Sequence, residues 1–276
     1  DSPNPSFCDA YHNALFQGSL FDRPSGAGTW PANVLWSKIM SSIKAKRGYK
    51  GHYVEQLQRQ LNRWSLGITL TPDGDFGSNT ETAVYAFQIQ ESLMVDGVVG
   101  AFTDAVLFGK VHQKLRRQPK EVYQGATSNC WAAATESWLT TQSGRRNYTQ
   151  EQIISGMISE GGARANGALR IPSGQTLWEL YYGLRPVSVS AEDFYAEKAF
   201  TRMSWHGPLM IGYKPNGSEV GHVEVMWGTT IHKGKPAVIT MDPLKQTNAM
   251  KVIMIPELHG MGGRVTTWMP KVPLLI

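Results

Sequence analysis

Apolar positions recur with a helical period in the first half of this chain and with a strand period near its end. In "YVEQLQRQLNRW", Val54, Leu57 and Leu61 form one apolar helical stripe. Two later stretches, "TPDGDFGSNTETAVYAFQ" (71–88) and "MVDGVVGAFTDAVLF" (94–108), share one pattern: Asp-Gly, a second Gly, then Thr and an apolar helical face. Glycine takes positive φ without steric cost, so each Asp-Gly predicts a tight turn. Side chains in Ser78–Thr80 and Phe102–Asp104 are expected to cap the helices that follow. The pattern predicts three short helices packed around Leu57, Leu61, Val84, Phe87, Leu93 and Leu107.

Beyond residue 123 the order is helices first, strands second. Ala132, Ala133, Ala134, Glu136 and Leu139 are good helix formers, and Thr127, Ser128 and Asn129 precede them as caps. Further helices are expected at 149–158, 173–184 and 190–200, each preceded or opened by Ser or Thr. "PLMIGYKPNGSEVGHVEVMWG" reads as a hairpin turning at "KPNGSE"; in its second strand His222, Glu224 and Met226 alternate with Val223, Val225 and Trp227. After His222 only strands are expected, at 236–241, 249–255 and 264–269. The fold class is therefore α+β: a small three-helix all-α module, then a domain of helices followed by antiparallel sheet.

Composition narrows this picture modestly. The 276 residues suit one or two domains with their own cores. No stretch approaches the roughly 20 apolar residues of a membrane span. The opening "DSPNPSFCDAYHNALF" shows no signal peptide, and since it lacks Met, earlier removal of an export signal stays open. A net charge of +5 suits an anionic surface such as a bacterial wall. The basic run "KVHQKLRRQPKEVY", containing Pro119, reads as a surface linker and not as a nucleic-acid site. The divisions expected are an unassigned extension with Trp30 and Trp36 (1–49), the helical module (50–109), the linker (110–122) and the α+β domain (123–276). Two cysteines, Cys8 and Cys130, are too few for a disulfide framework or a cysteine zinc site; both are expected free.

Cys130 falls in the first turn of its helix, where N–H groups and the helix dipole favour an anion. A cysteine nucleophile also needs a base and a donor for the oxyanion. Gln124 is a neutral side-chain donor that a loop can fold back toward Cys130. Of the seven histidines, His222 opens a core strand and can point rigidly into a cleft; His206 is the second choice, and His232 sits in a lysine-flanked turn. Asp242, at the end of the next strand, is the candidate to orient the imidazole. Glu224 shares the face of His222 and is a poorer orienter. The glycine-broken "EGGARANGALRIPSG" (160–174) is either a loop at the cleft or an ordinary connector.

Two resemblances sharpen these readings. "VEQLQRQLN…DGDFGSNTETAVYAFQ…VDGVVGAFTDAVL" resembles the three-helix peptidoglycan-binding module of bacterial wall enzymes, matching at both Asp-Gly turns, at Phe76-Gly77 and at the Ala-Val…Phe-Gln helix. "QGATSNCWAAA" resembles the active-site segment of papain-like cysteine peptidases, closest to the compact bacterial branch of effector proteases and bacteriocin-processing peptidases. That resemblance implies Cys130 as nucleophile, His222 as base, Asp242 as third member, and Gln124 with the Cys130 N–H as oxyanion hole. Thr127 and Ser128 depart from the plant and lysosomal branch, which has cysteine and glycine there. The Cys130–His222 interval is also shorter than the roughly 130 to 150 residues of larger lysosomal enzymes.

The expectation is a wall-targeted cysteine endopeptidase that needs no metal or organic cofactor. Two alternatives are a peptidoglycan amidase or stem-peptide endopeptidase, and an idle wall-binding adaptor. The partners are peptidoglycan and a protein or wall-peptide substrate. Location is the wall, the periplasm or outside the cell. Joining a wall module to an effector-like hydrolase also suggests a secreted effector or toxin paired with an immunity protein.

Overall fold

The computed structural model describes residues 43–64, 66–110, 113–125, 128–214 and 221–271. Cys8, Trp30, Trp36, Thr127 and the hairpin turn at 215–220 lie outside the described residues. The chain divides into two compact units, one running to Gln88 and including Val95–Ala101, the other comprising Ile89–Met94 and everything from Phe102 onward.

The first helices are α1 (His52–Leu61), α2 (Ser78–Gln90) and α3 (Ala101–Leu107). Leu57, Leu61, Val84 and Phe87 are buried in the first unit, Leu93 and Leu107 in the second. Gly74 and Gly97 take φ of +74° and +68°, the left-handed region the Asp-Gly turns require. A buried glutamine pins each turn. Gln58 Nε2 donates to Asp73 Oδ1 (2.8 Å) and the Asp75 carbonyl (2.9 Å), while its Oε1 accepts the Gly74 N–H (3.0 Å). Gln88 repeats the arrangement, donating to Asp96 Oδ1 (2.9 Å) and the Val98 carbonyl (3.0 Å) and accepting the Gly97 N–H (2.9 Å). The near-repeat in sequence is thus a repeated polar knot, because a buried loop must satisfy its backbone groups locally.

In the second unit, β1 (Gln113–Leu115) precedes α4 (Cys130–Leu139), α5 (Gln150–Ser159) and α6 (Ser173–Tyr181). Then come β2 (Leu184–Ser190), α7 (Ala196–His206), β3 (Leu209–Tyr213), β4 (His222–His232), β5 (Lys235–Met241), β6 (Met250–Met254), α8 (Ile255–Met261) and β7 (Arg264–Pro270). Among the described residues the sheet runs β2-β7-β3-β4-β5-β6, every neighbouring pair antiparallel. β3 pairs with the first part of β4, and β1 with Gly228–Thr230 further along it.

α4 is buried on almost every side, Glu136 alone being half-buried, as befits a helix enclosed by its unit. Its Trp131, Ala134 and Trp138 share a core with Trp178, Met210, Val225, Met241 and Trp268. Each indole N–H in that core has an acceptor: the Gly167 carbonyl for Trp131, the Pro208 carbonyl for Trp138, Thr135 Oγ1 for Trp178 and Glu179 Oε1 for Trp268. A buried indole N–H usually finds such a partner.

Four expectations change. The basic stretch is mostly at the surface, as expected, but it is not a free linker: β1 joins the sheet, Pro119 and Val122 are buried, and the Lys120 carbonyl accepts from Ser137 Oγ at 2.6 Å. The helix expected at 173–184 stops at Tyr181 and β2 follows, an edge strand that can accommodate Pro186. The helix expected at 190–200 begins only at Ala196, since Ser190 caps a separate single turn, accepting the Asp193 N–H at 3.2 Å. The stretch after His222 is not all strand; α8 starts at Ile255 with Pro256 in its first turn, and Glu257 accepts the Met254 N–H at 3.2 Å.

The glutamine knots yield a local test. Gln58→Leu removes the acceptor of a buried N–H and should cost about 1–3 kcal/mol. In the intact protein, amide exchange should quicken at Gly74 while Gly97, held by Gln88, keeps its protection. Equal quickening at both glycines would show that the knots are not local.

Candidate active site

Cys130 stands at the first position of α4, buried and reduced, with Asn129 before it at the N-cap. Asn129 does not cap with its side chain as its residue type suggests; the Ala132 and Ala133 N–H groups instead reach its backbone carbonyl, both at 3.0 Å. The Asn129 amide lies against Gly167, where an added Cβ would come within 2.3 Å of Oδ1. Since the Gly167 carbonyl also accepts the Trp131 indole N–H, the 160–174 loop is tied down beside the start of α4.

His222 comes to Cys130 from the start of β4, near enough for the thiol to raise the pKa of the imidazole. The other side of the imidazole meets Asp242: Nε2 and Oδ1 are 2.8 Å apart. With Nε2 engaged there, Nδ1 is the nitrogen left for the sulfur. Asp242 closes the turn after β5, where Oδ1 also accepts the Leu244 N–H (3.0 Å) and Oδ2 accepts from Lys251 Nζ (2.9 Å). An Asp-Pro turn without partners is therefore not what forms. Gln124 is buried beside the same turn: its N–H donates to the Pro243 carbonyl at 2.9 Å, and its carbonyl accepts from Gln150 Nε2 at 3.1 Å.

Among the described residues, neither His206 nor His232 partners Asp242. His206 ends α7, half-buried, just before β3. His232 is exposed at the far end of β4, roughly 33 Å along the strand from His222.

Three residues of the site went unanticipated as partners. Glu224, fully buried, has Oε1 3.4 Å from His222 Nε2 and 2.6 Å from Lys251 Nζ, and it accepts a short hydrogen bond from the Tyr213 hydroxyl. Lys251 Nζ is also 3.2 Å from that hydroxyl. One signal was available: an acid on the inward face of a strand predicts a base on a neighbouring strand.

These contacts set the protonation states. Burial alone would lower the pKa of His222, but the hydrogen bonds to Asp242 and Cys130 and the Glu224 charge outweigh it and raise it to about 9. Burial would raise Asp242, yet hydrogen bonds from His222, Lys251 and the Leu244 N–H hold its carboxyl well below the usual range. Burial likewise opposes the charge on Lys251, and the Glu224 and Asp242 carboxylates overcome it and raise its pKa. Burial and Glu224 together push Tyr213 upward, so it stays a donor.

Residues 50–107 match the family model described as "Putative peptidoglycan binding domain", which associates the chain with the bacterial cell wall. No described helix is long and apolar enough to cross a membrane.

A pH test follows from the site. A raised histidine pKa stabilises fully below its unfolded value and stops doing so as the pH climbs through its folded value. Unfolding free energy should therefore fall between pH 6.5 and about 9, and His222→Ala should flatten that decline. Denaturant titrations across this window decide it; an undiminished slope in the variant would place the pH dependence elsewhere. The depressed pKa of Asp242 works oppositely, its contribution disappearing only in strong acid.

Proposed function

We propose that this protein is a papain-like cysteine hydrolase that cleaves an amide bond at the bacterial cell wall. The observation that carries this reading is a buried His222 whose Nε2 is 2.8 Å from Asp242 Oδ1 and whose pKa is raised by Asp242 and by Cys130, the first residue of α4. An imidazole of raised pKa keeps its proton at neutral pH and so favours a thiolate partner at the helix N-terminus.

In the proposed reaction the Cys130 sulfur attacks the amide carbonyl carbon, and the Cys130 N–H and the Gln124 side-chain amide donate to the oxyanion. His222 passes its proton to the leaving amine, generating a thioester. Water, deprotonated by His222, then attacks the thioester; the acid leaves and the thiol is restored. Asp242 holds the imidazole in one orientation and balances its charge throughout.

The active-site segment favours a protein substrate, with the N-terminal module parking the enzyme in the wall. The peptidoglycan-binding match supports a second reading, in which the wall's own stem peptides are cut and the module presents the substrate. Release from the producing cell as an effector, with an immunity protein to restrain it, is consistent with either.

Purified sacculi distinguish the two substrates. Stem-peptide or muropeptide fragments that appear by mass spectrometry and vanish with Cys130→Ala identify a wall hydrolase. Sacculi that bind the protein but release nothing point to protein substrates. The site itself is tested by iodoacetamide at pH 6: Cys130 should alkylate faster than a free thiol, and His222→Ala should abolish the advantage. Equal rates in both proteins would refute the ion pair.

A further inference from the structure

The alternation of β4 sends His222 and Glu224 to one face of the sheet and Val223 and Val225 to the core of α4. Val225 pairs with Met241 across β5, so Asp242, the next residue, lies level with Glu224. Two buried carboxylates thus stand side by side, and like charges so placed repel. Both are within reach of one imidazole nitrogen: His222 Nε2 is 2.8 Å from Asp242 Oδ1 and 3.4 Å from Glu224 Oε1. Which acid binds the ring determines how it is turned toward Cys130.

Lys251 stands where this choice is made. Its β6 position pairs with Thr240, two residues before Asp242, and Nζ bridges Glu224 Oε1 at 2.6 Å and Asp242 Oδ2 at 2.9 Å. The Tyr213 hydroxyl, from the strand on the other side of β4, gives Glu224 Oε1 a second donor. Glu224 Oε1 thereby has two donors besides the ring, whereas Asp242 Oδ1 has one, the Leu244 N–H, and stays closer to the imidazole. His222, Glu224 and Asp242 lie close enough together to resemble a ligand set for a metal ion, but the lysine ammonium fills the cation's place between the carboxylates.

We propose that Lys251, assisted by Tyr213, is a positioning residue: it neutralises Glu224 and so makes Asp242 the one carboxylate that orients His222. Its consequence for turnover rests on the hydrolase reading above; its effect on His222 does not. Among the described residues, the charged and titratable groups around the ring are Cys130, Tyr213, Glu224, Asp242 and Lys251. With the ammonium present the two acids and one base carry a net −1, matched to one imidazolium. Without it, two negative charges face the ring.

The experiment compares wild type, Lys251→Met and Glu224→Gln/Lys251→Met, following His222 by NMR in histidine-labelled full-length protein. Lys251→Met should raise the His222 titration further, and the added Glu224→Gln should return it toward wild type. The double variant keeps the net charge of the cluster and should fold even if the single variant does not; rescue of folding by Glu224→Gln would itself support the proposal. In turnover assays, Lys251→Met should lower kcat by about ten- to a hundredfold with KM little changed, and the double variant should recover most of that loss. A His222 titration that ignores Lys251→Met, or effects of the two substitutions that simply add, would overturn the proposal. An inert wild type with the NMR response intact would refute the hydrolase reading while leaving the positioning role standing.

Discussion

A histidine buried on an interior strand keeps a proton only if negative charge nearby offsets its desolvation. The second unit is arranged around that condition. Antiparallel pairing puts Asp242 beside His222, the turn after β5 fastens Asp242 through the Leu244 N–H, and β6 adds the cation that prevents a crowd of acids. α4 then has to bring Cys130 to the imidazole, and its own Trp131 and Trp138, packed in one core with Trp178 and Trp268, hold it in place.

The two units solve a common difficulty at different scales. In the first, a glutamine from a helix satisfies the backbone of a tight turn, twice over. In the second, side-chain charges satisfy one another across three strands. In both, a set of enclosed polar groups is paired, which confers a geometry that apolar packing by itself leaves looser.

Periodicity made much of this legible before any coordinates. Cys130 stood out because strong helix formers follow it directly, and His222 because it begins a strand with clean alternation. The Glu224–Lys251–Tyr213 cluster was invisible for a physical reason: register between strands decides which acid meets which base, and a single chain displays no register. Strand β2 was hidden by Pro186, which argues for an interior break until its edge position is known. Helix α8 was hidden by its apolar opening, Ile255, which continues the pattern of β6. The glutamine knots escaped because Gln58 and Gln88 look like ordinary helix surface, and only the returning turns enclose them.

The short pairing of β1 with the distal half of β4 has a consequence for biosynthesis. Gln113 faces Thr230, a partner more than a hundred residues downstream, and the approach to α4 begins at β1. Closing such a separation is slow, because chain entropy is surrendered before any contact rewards it. On the ribosome, the segment leading to the thiol must wait, unsealed, until most of the sheet has emerged. The nascent chain therefore cannot close the approach to Cys130 early: the start of α4 is sealed only after β4 has been made.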